Sequence, residues 1–281
     1  MHITSARKLI TEQCQHLYDL AELQAIIWKI LEHLSGKAKL DLLLNKNLQF
    51  EAADVQRIVA ELKANKPLQY ILGYEWFGNL KIKVTPDVLI PRPETEELVG
   101  LLIDQLKKTG LHTCTLIDIG TGSGCIPILI KKQLPQTGVY AMDISEQALL
   151  IAAENGHVHQ TDIHFVQADI RDPYLNLQTQ FDFIISNPPY ILPEEKSDMH
   201  ARVYDQEPSI ALFVTEHDPL EFYKAILNFA KTHLKKDGAV YFEINQLYGP
   251  DIQSLCGQFQ YHCDILNDMY GNPRFAIAHP L

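Results

Sequence analysis

The residues best suited to chemistry form the run Asn187-Pro188-Pro189-Tyr190, which follows an apolar stretch at 181–185. Two consecutive prolines fix φ near about −65° and lack N–H donors, so the turn is rigid and Asn187 is kept out of helical geometry. Such a turn can hold a planar amino group, which donates one hydrogen to the Asn187 side-chain oxygen and the other to the Pro188 carbonyl. The nitrogen lone pair then points at an electrophile, and Tyr190 forms a flat wall beside it. Prolines also punctuate ordinary loops, so the run by itself equally fits a turn after a strand.

A second motif upstream has the order of a nucleotide-binding element. An apolar run at 116–119 leads into alternating glycines, and a helical segment follows at 125–133. Glycines let the backbone pass close to a ligand, and a helix N-terminus offers free N–H groups. The spacing departs from G-x-G-x-x-G and no Walker lysine follows, which disfavours NAD and ATP. The sequence therefore predicts cofactor binding by the glycine loop, which comprises Gly120, Thr121, Gly122, Ser123 and Gly124.

The next predicted strand ends at an acid, Asp143. A carboxylate at this position can accept hydrogen bonds from both ribose hydroxyls of a nucleoside. It also suits the start of the following helix, just before Ser145. The order of glycine loop, acid and Asn-Pro-Pro-Tyr run along one chain favours the ligand interpretation.

Together these motifs resemble those of the S-adenosylmethionine-dependent methyltransferases that modify planar amino groups, and especially the HemK-type release factor glutamine methyltransferases. The resemblance extends over nearly the whole chain and includes the Pro-Arg-Pro-Glu-Thr-Glu-Glu-Leu tract at 91–98, the tract at 204–212 and the ending at 272–275. The first of these tracts is the most specific, because amino-methylating enzymes acting on DNA share the Asn-Pro-Pro-Tyr run. Residues 213–220 depart from the glycine-rich pattern usual in the family, which leaves the shape of that loop open.

The resemblance implies the reaction and the roles of particular residues. A methyl group passes from S-adenosylmethionine to the side-chain amide nitrogen, N5, of the glutamine in the Gly-Gly-Gln motif of peptide chain release factors 1 and 2. Asn187, Pro188 and Tyr190 are then catalytic, Pro189 joins them in binding the substrate, and Asn187 also borders the cofactor. Ile170 occupies the position where the family places an adenine-facing residue, often an aromatic one, although ordinary core packing explains it equally well.

The distribution of apolar segments after Thr113 predicts an α/β fold. Strands and helices alternate, which indicates a parallel, doubly wound sheet. The predicted strands lie near 114–119, 138–142, 162–166, 181–186, 239–244, 261–266 and 274–278. The final two follow each other too closely for a helical crossover and should pair as an antiparallel hairpin. By resemblance this is the Rossmann-like, seven-stranded methyltransferase domain.

Three segments are predicted along the chain. Residues 1–75 show helical periodicity, for example from Leu9 to Leu34, and form a small helical bundle. Residues 76–90 form a β-hairpin linker, and residues 91–281 form the catalytic domain, whose first helix begins at Pro93. The bundle serves as structural support or, as the resemblance favours, docks the substrate.

Composition narrows the classes of partner. The formal net charge is −11, which argues against a large footprint on duplex nucleic acid. The five cysteines lack C-x-x-C spacing and the histidines lack H-E-x-x-H, so we expect reduced thiols, a cytoplasmic location and no metal. No apolar run approaches the roughly 20 residues of a membrane span.

Three alternatives stay open at this point. Glutamine methylation of a ribosomal protein by a sister family is disfavoured by the tract at 91–98. Adenine-N6 methylation of DNA or RNA is disfavoured by the acidic charge and the helical N-terminal segment. A cofactor-binding interaction module without activity is disfavoured by the intact glycine loop and Asn187.

Overall fold

The computed structural model describes residues 1–45, 48–111, 113–198, 204–214 and 218–281. These residues divide into two compact units. The first contains Met1–Tyr74 and the short segment 204–206, and the second contains the remaining described residues. In the described part of the chain, every helix is too short or too polar to cross a bilayer.

The first unit is helical, as the sequence predicts. Its helices are α1 (Ile3–Cys14), α2 (Leu20–Ser35), α3 (Lys39–Leu44), α4 (Ala52–Lys63) and α5 (Leu68–Leu72). The apolar repeat between Leu9 and Leu34 is interrupted because Asp19 caps a new helix, its carboxylate accepting the Glu22 N–H at 2.8 Å. Gly36 ends α2 in the left-handed conformation with φ of 65°.

One apolar face of each helix is buried in the core of this unit. Trp28 is only partly buried against that core. The Arg7 guanidinium lies 4.8 Å and the Lys39 Nζ 5.2 Å from the centre of its ring. Trp28 thus contributes to packing on one side and meets cations on the other.

The hairpin consists of β1 (Tyr74–Phe77) and β2 (Leu80–Lys83). The sequence places most of it in a linker. Its side chains Phe77, Leu80 and Ile82 are buried in a core cluster of the second unit. These alternate side chains pack within the second unit, and the predicted boundaries of the linker at residues 76 and 90 stay a prediction.

The second unit is built on one seven-stranded sheet, with strand order β5-β4-β3-β6-β7-β9-β8. Its strands are β3 (Thr115–Ile119), β4 (Gly138–Asp143), β5 (His164–Gln167), β6 (Phe181–Ser186), β7 (Leu234–Glu243), β8 (Tyr261–Asn267) and β9 (Pro273–Pro280). The strands β3 to β7 are parallel, and β9 runs antiparallel to both β7 and β8. The predicted α/β fold and terminal antiparallel hairpin are therefore confirmed.

Helices cover both faces of this sheet. They are α6 (Pro93–Thr109), α7 (Cys125–Gln133), α8 (Glu146–Val158), α9 (Ser209–Leu212), α10 (Glu221–His233) and α11 (Gly249–Gln258). One core cluster joins α6 and α7 to the sheet, and the other joins α10 and α11 to its opposite face. The predicted helix at Pro93 is confirmed, and Gly110 ends it with φ of 69°.

One strand begins earlier than the sequence predicts. The predicted segment 239–244 corresponds to β7, which starts at Leu234. A register shift lies between the pairs Phe181↔Leu234 and Phe183↔Ala239. The intervening residues 235–237 are exposed and charged, so the apolar alternation that marks a strand begins only after them.

Candidate active site

A cleft opens at the carboxyl ends of β3, β4 and β6 in the second unit. It encloses about 990 Å³ of empty space, including its open mouth. Ligands of open α/β sheets bind at this edge, where the strand order changes direction. The residues that follow the ends of these three strands therefore form the candidate site.

Two of the loop glycines face the cleft. Gly120 and Gly122 line it with φ of 77° and 51°, and a Cβ added to either would meet no atom within 4 Å. Gly124 does not line the cleft, and a Cβ added to it would lie 3.0 Å from the Cβ of Ala152 on α8. The first two glycines leave room for a ligand, and the third permits two helices to pack closely.

The remaining loop residues, Thr121 and Ser123, do not line the cleft. Both are buried, where the Thr121 hydroxyl interacts with the Asp118 carboxyl and the Ser123 hydroxyl with the Cys125 thiol. Five of the eight residues predicted to contact the cofactor border the cleft, namely Gly120, Gly122, Asp143, Ile170 and Asn187.

Asp143 lies at the end of β4 and fixes the glycine loop. Its Oδ2 accepts the Gly122 N–H at 2.8 Å, and its Oδ1 accepts the Ser145 N–H at 2.9 Å. The helix cap itself is Ser145, whose Oγ accepts the Ala148 N–H at 3.2 Å. Burial raises the pKa of Asp143 from its usual value. Each carboxylate oxygen retains capacity for a further hydrogen bond from a ligand diol.

The sequence interpretation missed a second carboxylate at this edge, Asp118 of β3. It is fully buried, and the Thr121 hydroxyl beside it lowers its pKa by hydrogen bonding, an effect that is smaller than that of burial. Burial raises the pKa of Asp118 to about 7. A lone acid inside the apolar run 116–119 is the sequence signal that indicates it.

The Asn187 side chain is held by a buried relay. Its Nδ2 donates to Thr95 Oγ1 at 3.0 Å, and Thr95 Oγ1 donates to Glu243 Oε2 at 2.6 Å. No described residue donates to Asn187 Oδ1. The Thr95 and Glu243 side chains are 3% and 2% exposed, so water does not compete for these bonds.

The rest of the Asn-Pro-Pro-Tyr run is divided between cleft and core. Pro188 and Pro189 line the cleft beside Asn187. Tyr190 is absent from its described lining and packs against the core cluster beneath α10, where burial raises the pKa of its hydroxyl. Ser186 anchors the run, since its Oγ donates to the Ile119 carbonyl at 2.6 Å.

The lining of the cleft also combines apolar and cationic groups. Ile170, Arg171 and Phe222 line it. The Arg171 Nε and Nη2 donate to the two carboxylate oxygens of Asp169 at 2.9 and 2.8 Å, and its guanidinium lies 5.2 Å from the Phe222 ring centre. The sequence predicted no aromatic residue here because Phe222 comes from α10, far along the chain from β5.

The tract at 91–98 contacts the tract at 204–212 within this unit. Glu207 is 5% exposed and accepts hydrogen bonds from Arg92 Nη2 at 2.6 Å and from the Ile90 N–H at 3.2 Å. The segment before Ile90 also contributes Val88 and Leu89 to the cleft lining. The ion pair thus holds the tract at 91–98 beside the cleft.

Comparison with known proteins agrees with this architecture. The family model for the PrmC N-terminal domain matches residues 5–73, and the model for the methyltransferase small domain matches residues 97–205. A methyltransferase from Pyrococcus furiosus (18% identity, TM-score 0.53) covers 82% of this chain and 98% of its own. The hMettl16 catalytic domain (19% identity, TM-score 0.56) covers 78% of this chain and 81% of its own.

Two curated relatives match nearly the whole chain. A release factor glutamine methyltransferase of Flavobacterium psychrophilum is 37% identical and covers 98% of both chains. The protein of the same name from Bacteroides thetaiotaomicron is 39% identical over 96% of this chain and 97% of its own.

Sheet topology, cleft and similarities together define an enzyme of the Rossmann-like methyltransferase class, whose methyl donor is S-adenosylmethionine. Within that class the chain belongs to the release factor glutamine methyltransferase family.

Proposed function

We propose that this enzyme transfers a methyl group from S-adenosylmethionine to N5 of the glutamine in the Gly-Gly-Gln motif of peptide chain release factors 1 and 2. The observation that carries the proposal is the held amide of Asn187, whose Nδ2 is bound by Thr95 while its side chain borders the cleft. Its free Oδ1 and the Pro188 carbonyl are two acceptors suited to one NH2 group. The curated relatives that are 37% and 39% identical to this chain bear the name release factor glutamine methyltransferase.

The residues of the cleft fit the methyl donor. The open space above Gly120 and Gly122 admits a nucleoside, and Asp143 can accept its ribose hydroxyls. Ile170 and Phe222 offer an apolar setting for a purine. When bound, S-adenosylmethionine supplies a methyl group activated by its sulfonium. The product that leaves is S-adenosylhomocysteine.

The catalytic task of the protein is to orient a poor nucleophile. An amide nitrogen reacts slowly because its lone pair is delocalised into the carbonyl group. Asn187 Oδ1 and the Pro188 carbonyl each accept one hydrogen of the substrate NH2, which aligns the nitrogen and polarises it. No general base is required before attack, since the nitrogen becomes strongly acidic as the new bond forms and then releases one proton to water. We assign Tyr190 a supporting role beneath this turn.

We propose that the first unit docks the release factor. This unit has a buried core, but three leucines of α3 lie outside it. Their exposed fractions are 67% for Leu40, 49% for Leu43 and 77% for Leu44. Exposed apolar groups of this kind on a short helix suit recognition of another protein.

Four expectations from the sequence stay predictions. They are that the enzyme does not bind duplex nucleic acid, membranes or metals, and that it is cytoplasmic.

A three-substrate assay tests the proposed function. The enzyme is incubated with labelled S-adenosylmethionine and, in separate reactions, with release factor, ribosomal particles and DNA. We expect label in the release factor alone, and none in a release factor whose Gly-Gly-Gln glutamine is replaced by alanine. Label in ribosomal protein or DNA, with an unlabelled release factor, would replace this proposal with one of the rival activities.

A further inference from the structure

The Thr95 and Glu243 side chains touch no reacting atom in the mechanism above, yet both are buried and hydrogen-bonded in series behind Asn187. We propose that they are positioning residues whose relay decides which end of the Asn187 amide faces the substrate. The inference rests on the proposed function, because it concerns how that glutamine amide is received.

The direction of the relay follows from what each group can donate. An ionised Glu243 carboxylate only accepts hydrogen bonds, so it takes the single hydroxyl proton of Thr95. The Thr95 oxygen can then only accept from its other neighbour. Nδ2 of Asn187 is therefore turned toward Thr95, and Oδ1 toward the cleft.

The opposite orientation would be unproductive. The two ends of an asparagine amide have almost the same size, so packing alone distinguishes them poorly. A flipped Asn187 would present its NH2 to the NH2 of the substrate glutamine, donor against donor. The relay prevents this, since a flipped amide would also set Oδ1 against the Thr95 oxygen.

Protonation of Glu243 reverses the relay. A protonated carboxyl can donate to Thr95, whose hydroxyl is then free to donate to Asn187 Oδ1. The charged and titratable groups around Glu243 are Arg92 and Glu94 before and within α6, Arg274 of β9, Tyr190, and Tyr223 of α10. Burial outweighs the Thr95 hydrogen bond and Arg274 and raises the pKa of Glu243 to about 7.

The sign of the pH effect follows directly. Glu243 is ionised above its pKa, so the productive orientation prevails at higher pH and is lost as the pH falls through about 7. The substrate amide does not titrate in this range. The pKa of Asp118 is also raised to about 7, but Asp118 forms no hydrogen bond with the relay. A variant of Glu243 therefore shows which of the two acids causes the pH dependence of kcat.

The first test compares variants of Thr95. We expect Thr95→Val to lower kcat about 10-fold to 100-fold, with the KM for release factor and the affinity for S-adenosylmethionine within about twofold of wild type. Thr95→Ser keeps the hydroxyl and should restore most of kcat. Thr137→Val is the matched control, because Thr137 is also fully buried but precedes β4 at the opposite edge of the sheet. The proposed relay would be wrong if Thr95→Val had the wild-type kcat, or if the valine and serine variants lost kcat equally.

The second test uses Glu243→Gln, which removes the titration while keeping an acceptor oxygen. The kcat of the wild-type enzyme should fall on acidification with a midpoint near pH 7. In Glu243→Gln this fall should be absent, with kcat lower than the wild-type maximum. An unchanged acid limb in the variant contradicts the assignment to Glu243.

A spectroscopic measurement separates the relay from the reaction. The NMR signals of the Asn187 side-chain NH2, recorded without substrate, should shift with pH in the wild-type enzyme and stay constant in Glu243→Gln. This result is expected whichever substrate the enzyme methylates, so a failed release-factor assay and a failed relay give different outcomes. The relay would be contradicted if these NMR signals did not shift with pH in the wild-type enzyme. It would also be contradicted if they shifted equally in the wild-type enzyme and in Glu243→Gln.

Discussion

At the scale of single residues, the polar side chains of the site already form some of their hydrogen bonds within the protein and can accept others from a ligand. Asn187 has one end of its amide held and the other available. Asp143 has each oxygen bound to a backbone N–H of the loops that surround the cleft. Both side chains are thus oriented before any ligand arrives, which lowers the entropy lost on binding and reaction.

Substitution of Asn187 tests the orienting role. We expect Asn187→Ala to reduce single-turnover methyl transfer about 10²-fold to 10³-fold, because an interaction formed with the reacting group is lost. The affinity for release factor should be unchanged, since contacts elsewhere supply it. Asn187→Asp should stay impaired, because a carboxylate cannot donate to Thr95 and its charge favours the ground-state sulfonium. Wild-type rates in both variants would reduce Asn187 to a structural turn residue.

Substitution of Asp143 tests the ribose contact. Asp143→Ala should weaken S-adenosylmethionine binding by about 1.5 to 3 kcal/mol, roughly 10-fold to 150-fold, because a charged acceptor is removed. Asp162→Ala, an exposed acid in the loop before β5, is the control and should bind normally. Calorimetry measures both, and circular dichroism confirms that they are folded. If a folded Asp143→Ala protein bound the donor as tightly as wild type, Asp143 would not belong to the site.

At the scale of elements, parallel strands bring the functional residues to one edge. β3, β4 and β6 each end at the cleft, so the glycine loop, Asp143 and Asn187 meet there although they are distant in sequence. The packing of α7 against α8 sets the position of the glycine loop. Gly124, the N-cap of α7, lies so close to α8 that a Cβ added to it would be 3.0 Å from the Cβ of Ala152.

The helix contact predicts a difference between two glycines. Gly124→Ala should lower the free energy of unfolding by about 1 to 3 kcal/mol, because its φ of 78° is unfavourable for alanine and its Cβ would press on Ala152. Gly100→Ala is the matched control within α6, where a Cβ meets nothing within 4 Å. It should stabilise the protein by about 0.5 to 1 kcal/mol. Chemical denaturation measures both, and equal effects would remove the packing role assigned to Gly124.

Much of this arrangement can be predicted from the sequence because it is local. The strand positions, the helix from Pro93 to Thr109 and the terminal hairpin follow from periodicity, caps and loop lengths. The relay could not be predicted, since Thr95 and Glu243 lie 148 residues apart and only the fold joins α6 to β7. Phe222 was missed for the same reason. The cofactor role of Gly124 stays a prediction, whereas its approach to Ala152 could not be predicted because only the fold brings α8 beside it.

At the scale of the whole molecule, the two units have separate cores and separate proposed tasks. The first unit has its own buried cluster of helix side chains, and the cleft belongs entirely to the second unit. This division predicts that substrate affinity and methyl transfer can be altered independently.

The double variant Leu40→Ser with Leu44→Ser tests the docking task. We expect the KM for intact release factor to rise about 10-fold or more while kcat and the affinity for S-adenosylmethionine stay unchanged, because only exposed contact area is removed. Val158→Ser, which replaces an exposed apolar residue of the second unit, is the control and should behave as wild type. Unchanged KM in the double variant would exclude this face of α3 from docking.

The most direct measurement of the central claim is the mass of the release-factor peptide that carries the Gly-Gly-Gln motif after a single turnover. With wild-type enzyme and S-adenosylmethionine, we predict one added methyl group, which tandem fragmentation places on the glutamine side-chain nitrogen. With Asn187→Ala under the same conditions, the peptide should stay unmodified. A methyl group on another residue, or on no residue when the wild-type enzyme is used, would contradict the account.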